Sequence, residues 1–415
     1  MPDFQVAVVD CYGTSHRYVD AFAAVGGEVV HVRSTPDLLP GVVDVDPARF
    51  SGTLTYEHDL DTLAERLAAS RVRAVLPGRE SGVELADALA ERLGLTTSNG
   101  TALSRARRDK YVQIERLRAA DVPAMRQLRT GDEAELRAWH TRLGQTVVVK
   151  PVRGALGHGV RFCDTPEESV AALAALRNGT SALGERITDV VAQEYLVGAE
   201  YIVNTVSCHG VHTVTDVWST DRITANGVRD LVVAQILLAH DDQAVGELLP
   251  YAFQVLDALG IRHGAAHLEI KRTPDGPRLV EAGARPSGLP YHVADAIGEG
   301  QLEWAVDAYV RPERFHARAG TPYHRKHAAA WAALVSPATG RLISYRALDE
   351  VRRLDSVCEL NLLVRPGENI TATTWDLEYP VILRLRHPVE AVLRRDLNTV
   401  RYLDGAGMFE IDTTA

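Results

Sequence analysis

The chain has 415 residues, room for two to four domains at ~150 residues each, and its 46% apolar and 24% charged content excludes a disordered, collagen-like or coiled-coil protein. A net charge of −10 without a dense Lys/Arg tract argues against a nucleic-acid partner, and no apolar run nears the ~18 residues of a membrane span, Val232–Ala239 being typical. The start MPDFQVAVVD lacks a basic segment before an apolar core, and Cys11, Cys163, Cys208 and Cys358 are scattered without a CxxC, so no secretory signal, disulfide framework or zinc motif is expected and the location expected is cytoplasmic.

In chain order, Phe4–Val9 is a short strand, and Thr14 or Ser15 is placed to cap a helix over 16–25 that Gly26-Gly27 ends. Glu28–Val32 is a strand, Leu60–Ser70 a helix, Val72–Leu76 a strand and Gly82–Leu93 a helix, an alternation that calls for an open parallel sheet. The loop Asp10-Cys-Tyr-Gly-Thr-Ser is not GxGxxG, so no dinucleotide site is assigned there. Helices follow over Arg105–Ala119, Asp132–Leu143 and Pro166–Arg177, with strands at Thr146–Lys150, Val190–Tyr195 and Glu200–Ser207. A helix near Gly246–Leu259 lies among the strands of 208–330, and 331–415 reads as a smaller α+β module. The implied division is 1–104, an N-terminal α/β domain; 105–196, a lid; 197–330, a catalytic domain; and 331–415, the C-terminal module.

The segment His267–Arg285 holds a turn, Pro274-Asp275-Gly276, between two alternating runs. If paired residue numbers sum to 550, Glu269 faces Glu281 and Lys271 faces Leu279, while Leu268, Ile270, Val280 and Ala282 form an apolar second face. A sum of 551 would mix Glu and Ile on both faces, so the first register is expected, with Gly276 at positive φ. Two carboxylates then stand ~4.5–5.5 Å apart at Cβ, a repulsive arrangement unless neutralised, and a hard divalent cation bridging to phosphate neutralises it. His267, Lys271 and Arg285 share that face. A surface hairpin with solvated glutamates is the competing reading of this segment taken alone.

Lys150 ends the strand Val147-Val-Val-Lys150 before a loop with Gly154, Gly157 and Gly159, an arrangement suited to a polyphosphate but not a Walker A loop. Gln193-Glu-Tyr-Leu-Val-Gly-Ala-Glu200 joins two strands through an extended joint whose backbone can read adenine, with Glu200 placed for ribose; a plain hairpin fits it as well. Glu80 follows a parallel strand in Gly78-Arg-Glu-Ser-Gly82, where it either meets a substrate ammonium or favours a helix dipole. His209-Gly-Val-His212 has the spacing of a strand turn and is set aside as a metal motif.

Arg-Arg-Asp-Lys110, Val-Val-Val-Lys150-Pro with its glycine loop, Gln193-Glu-Tyr-Leu-x-Gly-x-Glu200 and Glu269…Glu281-Ala-Gly-Ala-Arg285 occur in the order and spacing of the ATP-grasp superfamily. The chain resembles its L-amino acid ligase (dipeptide synthetase) branch over nearly its whole length. The resemblance implies α/β and α+β architecture: an ATP-grasp fold with an N-terminal parallel sheet, a central lid, a C-terminal antiparallel sheet and an extra α+β module. It implies that Lys110 and Lys150 meet the phosphates of ATP, under a loop through Gly157, His158 and Gly159. Glu194 (carbonyl) and Leu196 (amide) would read adenine beside Gln193, and Glu200 would hold ribose. Glu269 and Glu281 would carry Mg2+, with Mn2+ as a substitute, and Arg285 would face the reacting acyl group. Many family members have Asn where Gly283 stands here, which leaves the second metal's coordination open.

The implied reaction joins a small-molecule carboxylate to an amine through an acyl phosphate, releasing ADP and phosphate. Arg285, Lys271 and His267 are its candidate catalytic residues, Glu80 and Arg285 its substrate contacts, and His267 or His292 its candidate bases. Two other readings remain at this stage: a nucleotide-biosynthesis ligase or bicarbonate-using carboxylase on the same fold, and a non-catalytic ATP-binding protein. A homodimer is expected only by analogy with family members.

Overall fold

The computed structural model describes residues 3–38, 44–152, 159–177, 179–180, 186–288, 293–375, 378–405 and 407–414. Gly154, Gly157, His158 and His292 lie outside the described residues. Strands β1 (Phe4–Val9), β2 (Gly27–Arg33), β3 (Gly52–Thr55) and β4 (Val72–Pro77) form a sheet in the order β3-β2-β1-β4, and its pairings are parallel. Helices cover both faces, so Val6, Ala7, Val8 and Val9 are all fully buried and alternation is absent. Gly52–Thr55 is an edge strand that its Gly-Thr-Leu-Thr composition does not announce.

The expected helix over 16–25 is corrected to a 3-10 segment, Gly13–Arg17, and a short α-helix, Tyr18–Ala23. Ser15 does not cap it: the hydroxyl donates to the Tyr12 carbonyl at 2.7 Å. Gly26 makes the turn at φ 83°, and Gly27 already belongs to β2. Asp10, just after β1, accepts from the Ser34 amide (2.8 Å) and hydroxyl (2.6 Å) and from the Ser81 hydroxyl (2.5 Å). One buried carboxylate thus ties together the C-terminal ends of three parallel strands, the edge at which such sheets bind ligands.

Strands β5 (Gln127–Thr130), β6 (Val147–Pro151), β7 (Arg161–Cys163) and β8 (Val190–Glu194) form an antiparallel sheet ordered β5-β8-β6-β7. Helices Glu133–Leu143, capped by Asp132, and Pro166–Leu176, with a Thr165/Glu168 capping box, cover one face over Leu136, Val147, Val149 and Leu173.

The largest sheet takes β9 (Ala199–Cys208), β10 (Val211–Ala225), β11 (Val228–Leu237), β12 (Gly264–Thr273) and β13 (Gly276–Gly283). The tail supplies β14 (Ala328–Leu334), β15 (Gly340–Tyr345), β16 (Val357–Leu362), β17 (Asn369–Ile370), β18 (Val381–His387) and β19 (Phe409–Asp412). Eight strands run antiparallel as β13-β12-β9-β10-β11-β14-β18-β16, while β17-β15-β19 make a small sheet of their own. The tail is therefore continuous with the large sheet through β14. Its core, including Leu383, Leu385, Leu393 and Leu397, also contains Ala234 and Ile236 of β11.

The β12–β13 register sums to 550 from His267↔Gly283 through Glu269↔Glu281, as expected. A bulge then shifts it, so Ile270 pairs with Leu279 and Lys271 with Arg278 rather than Leu279. The bulge puts Leu279, not Val280, into the core with Leu268, Ile270 and Ala282, against helix Gln243–Ala258. Gly276 takes φ 95°, the conformation its turn requires.

Candidate active site

The opposite face of this sheet carries the polar groups in rows set by register. Gly283, His267, Asn204 and Asp216 lie opposite one another across β13, β12, β9 and β10. The next row is Glu281, Glu269, Ile202 and Trp218, and further along Lys271 lies opposite Glu200. Because side chains alternate along each strand, these rows present one wall while Leu268 and Val203 face the core behind it.

A helix fixes the other wall. The expected helix Arg105–Ala119 is interrupted: a 3-10 turn, Arg105–Arg107, gives way at Arg108-Asp109 to an α-helix, Lys110–Ala119. Asp109 is its N-cap, accepting from the Tyr111 (3.0 Å) and Val112 (3.1 Å) amides. Gln113, one turn on, pairs with Ala282 of β13, its amide nitrogen donating to the carbonyl and its oxygen accepting from the N–H, both at 2.8 Å. That clamp on the sheet edge brings Lys110 Nζ to 2.6 Å from Glu281 Oε1. Arg107 is fully buried, donating to Asp87 at 2.9 Å and to the Leu259 carbonyl at 3.1 Å, and Arg108 reaches Glu80 at 3.2 Å. The Arg-Arg-Asp-Lys motif thus ties Asp87, Glu80 and Glu281, from three parts of the chain, to one short segment.

Burial alone would raise the Glu269 carboxyl, but His267, Arg222 and Lys110 outweigh it and hold it at about 2. His267 Nε2 lies 3.6 Å from Glu269, and its Nδ1 lies 2.9 Å from Asn204 Oδ1. The Asn204 amide nitrogen donates to buried Asp216 at 2.5 Å, so its oxygen is left to accept and His267 Nδ1 must donate. Asp216, also bonded by Trp218 Nε1 at 2.6 Å, anchors a relay that ends at Glu269. Two carboxylates facing each other, with the Lys110 side chain drawn to one, form an oxygen donor set that fits a hard cation.

Lys150 is buried at the end of β6. Burial, then Lys110, lowers its pKa to about 8 against the opposing pull of Glu281, Glu269 and Glu200. It is charged below that value and neutral above, so affinity for an ATP analogue is expected to fall as pH rises through about 8. Lys150→Arg should flatten the profile, which calorimetric titrations across neutral to alkaline pH would check; an unchanged slope removes Lys150 from the phosphates.

Gly159, at φ 78°, is pressed against Pro151, and a Cβ there would lie 3.1 Å from that ring. Gln193 is buried and donates to Gln127 at 3.0 Å, which in turn donates to the Tyr111 carbonyl at 2.8 Å, so it braces the joint against the Lys110 helix. The Glu194 carboxylate accepts from the Arg126 amide and Nε, both at 2.7 Å, and the Glu194 N–H donates to the Arg126 carbonyl at 3.0 Å. Among the described residues none accepts from the Leu196 amide. Gly198 passes so close to β12 that a Cβ would sit 2.2 Å from the Arg272 carbonyl. Glu200 is buried against Arg222, and Lys271 lies 4.0 Å from it, 3.2 Å from Asp230 and 4.6 Å above the Tyr195 ring. Lys271 therefore joins the Glu200 end of the wall. Arg222, Asn204, Asp216 and Asp230 are additions from the structure. Asp216, a lone acid inside the apolar-flanked run Val214–Trp218, is the one with a readable signal.

At the other end Arg285 Nε donates to Glu80 Oε2 at 3.1 Å. Burial opposes ionisation of Glu80, but Arg285, Arg108 and Lys110 hold its pKa below the usual carboxylate value. A Cβ on Gly283 would lie 2.9 Å from Glu80 Oε2 and 3.4 Å from the Arg285 guanidinium. Any side chain at that position must displace the ends of these two side chains. Gly283→Asn is expected to push Glu80 and Arg285 apart, cost roughly 1–3 kcal/mol of stability and lower turnover. Thermal melts and steady-state rates check this; improved metal affinity with retained rate would contradict it.

Four similarities to known proteins bear on this arrangement. Residues 143–289 match the family model described as ATP-grasp domain. Dapdiamide A synthase from Enterobacter agglomerans is 30% identical over 405 residues, 95% of each chain. L-amino acid ligase from Bacillus licheniformis superposes with a TM-score of 0.74 at 18% identity, covering 99% of both chains. The biotin carboxylase domain of Hydrogenobacter thermophilus 2-oxoglutarate carboxylase, a dimer solved with MgADP, ADP and bicarbonate, gives 0.64 at 16% identity over 98% of this chain and 90% of its own. The chain belongs to the ATP-grasp family.

Proposed function

We infer that this ATP-grasp enzyme is an ATP-dependent carboxylate–amine ligase that forms an amide bond, a carbon–nitrogen ligase of the L-amino acid ligase kind. The observation that carries the reading is the facing pair Glu269 and Glu281 with Lys110, opposite an Arg285–Glu80 pair at the mouth of the parallel sheet. Full-length similarity to dapdiamide A synthase supports this over a carboxylase, and the charged side chains present at the site argue against a non-catalytic ATP binder.

Lys110, Lys150 and the Gly159 loop are proposed to hold the phosphates. Glu194 and Leu196 read adenine through backbone, Gln193 braces that joint, and Glu200 with Lys271 takes the ribose end. Glu269 and Glu281 hold Mg2+, or Mn2+ in its place, which supplies charge neutralisation for the transferring phosphoryl group. A substrate carboxylate oxygen attacks the γ-phosphorus and ADP leaves. The amine then attacks the acyl carbon, phosphate departs with the C–O bond electrons, and the ammonium proton passes to solvent or a base. Arg285 is suited to hold the acyl phosphate and the developing oxyanion. His267, oriented by Asn204 and Asp216, is assigned to keep Glu269 ionised. Glu80 is assigned to a substrate ammonium, for which it must release a cation.

The divisions 1–104, 105–196, 197–330 and 331–415 are proposed as functional units, with 120–195 the lid that excludes water. A homodimer, as in the carboxylase neighbour, and a cytoplasmic setting belong to the same proposal; among the described residues no helix is long and apolar enough to cross a membrane. Phosphate release from Mg-ATP across a panel of amino acid pairs, with mass spectrometry of products, tests the reading. Amino-acid-dependent release with a new amide mass is expected. Release with bicarbonate alone, or none with any pair, would overturn it.

A further inference from the structure

The far end of β9 carries a second cluster. Cys208 ends the strand, and His209-Gly210 turn the chain into β10, both at positive φ (51° and 82°). Helix Pro312–Arg318 lays His316 over this turn. His209 Nδ1 and His316 Nε2 are 3.4 Å apart, and Cys208 Sγ lies 3.4 Å from the first and 3.7 Å from the second. Tetrahedral coordination with Zn–N of 2.0–2.1 Å and Zn–S of 2.3 Å demands ~3.3–3.4 Å between nitrogens and ~3.6 Å between sulfur and nitrogen. The three separations therefore match the edges of one tetrahedral face.

The rings are held for this role. His263, buried behind the turn, accepts from the His209 amide through Nε2 at 3.3 Å and packs edge-on against the His209 ring at 4.6 Å. The His209 and His316 rings lie nearly parallel, 19° apart. Cys208 is fully buried with its sulfur 3.5 Å from the Ala308 carbonyl, while both imidazoles are exposed, so the open side of the triad faces solvent. His212, the other histidine of the His-Gly-Val-His run, is engaged elsewhere, with Ser207 at 2.7 Å and Asp257 at 3.2 Å. The motif set aside on spacing contributes one ligand, and the helix supplies the partner that spacing could not show.

We propose that Cys208, His209 and His316 form a binding site for Zn2+, separate from the ligase centre, that pins helix Pro312–Arg318 to the β9–β10 turn. Cys208 is four residues along β9 from Asn204, roughly 13 Å at the strand rise, and six from Ile202, which lies opposite Glu269, roughly 20 Å. His209 coordinates through Nδ1 with its proton on Nε2, and His316 through Nε2 with its proton on Nδ1. The Cys208 thiol binds as thiolate and releases one proton to solvent, and water completes the tetrahedron.

The test uses the full chain, stripped with a chelator and titrated with Co2+ without ATP or Mg2+. One equivalent is expected to give the intense d–d bands of tetrahedral cobalt and a thiolate-to-cobalt charge-transfer band, both removed by Zn2+. The charge-transfer band should vanish in Cys208→Ser and persist in Glu281→Gln. His316→Ala, at an exposed position, should weaken Co2+ binding by more than about tenfold, the loss even an outer-shell change can produce, while Mg-ATP-dependent turnover stays at the wild-type rate. A wild-type chain without the charge-transfer band, a band that survives in Cys208→Ser, or equal affinity in His316→Ala would overturn the site and leave a hydrogen-bonded triad.

Discussion

Glu281→Gln is expected to lower turnover by at least about 10²–10³-fold while the protein still folds. The change keeps shape and removes one charge from the pair facing across β12 and β13. Stability should hold, because a facing like charge is relieved as the Lys110 contact at 2.6 Å is weakened. The rate should fall because a single carboxylate is left to hold the divalent ion. Raising Mg2+ should recover part of the loss, which separates a metal role from a structural one. Near-normal turnover at low Mg2+ would remove both glutamates from the metal assignment.

Arg285→Lys is the second large effect. Lysine keeps the charge but not the planar fork that holds two oxygens at once, so amide formation should slow by about 10²–10³-fold, or ~3 kcal/mol of barrier. ATP affinity should change little, because the phosphate contacts proposed lie with Lys110 and Lys150. The products should also uncouple, with more ADP released per amide as poorly held acyl phosphate is lost to water. A full yield of amide per ADP in this variant would move the oxyanion role to another residue.

The carboxylate pair was readable because only one register kept glutamate and isoleucine on separate faces. The bulge beyond Glu269 was not: Leu279 and Val280 are both apolar, and either can turn inward. Helix starts with a short acid before them, such as Asp59 and Asp132, could be placed closely, whereas Asp109 sits inside a run that looks helical throughout and hides the break before Lys110. Asn204, Asp216 and Arg222 escaped notice because their meaning depends on neighbours across β9, β10 and β12, far apart along the chain. His316 lies 107 residues from His209, beyond the reach of any spacing rule.

The joining of β14, β18 and β16 onto β11 bears on how this protein can be handled and how it could have evolved. A chain truncated near residue 327 would leave the apolar flank of β11, with buried Ala234 and Ile236, as a bare template for strand addition, the usual seed of aggregation. The tail is therefore not a cassette that can be trimmed or swapped between enzymes, and any shuffling would have to carry β11 along with it.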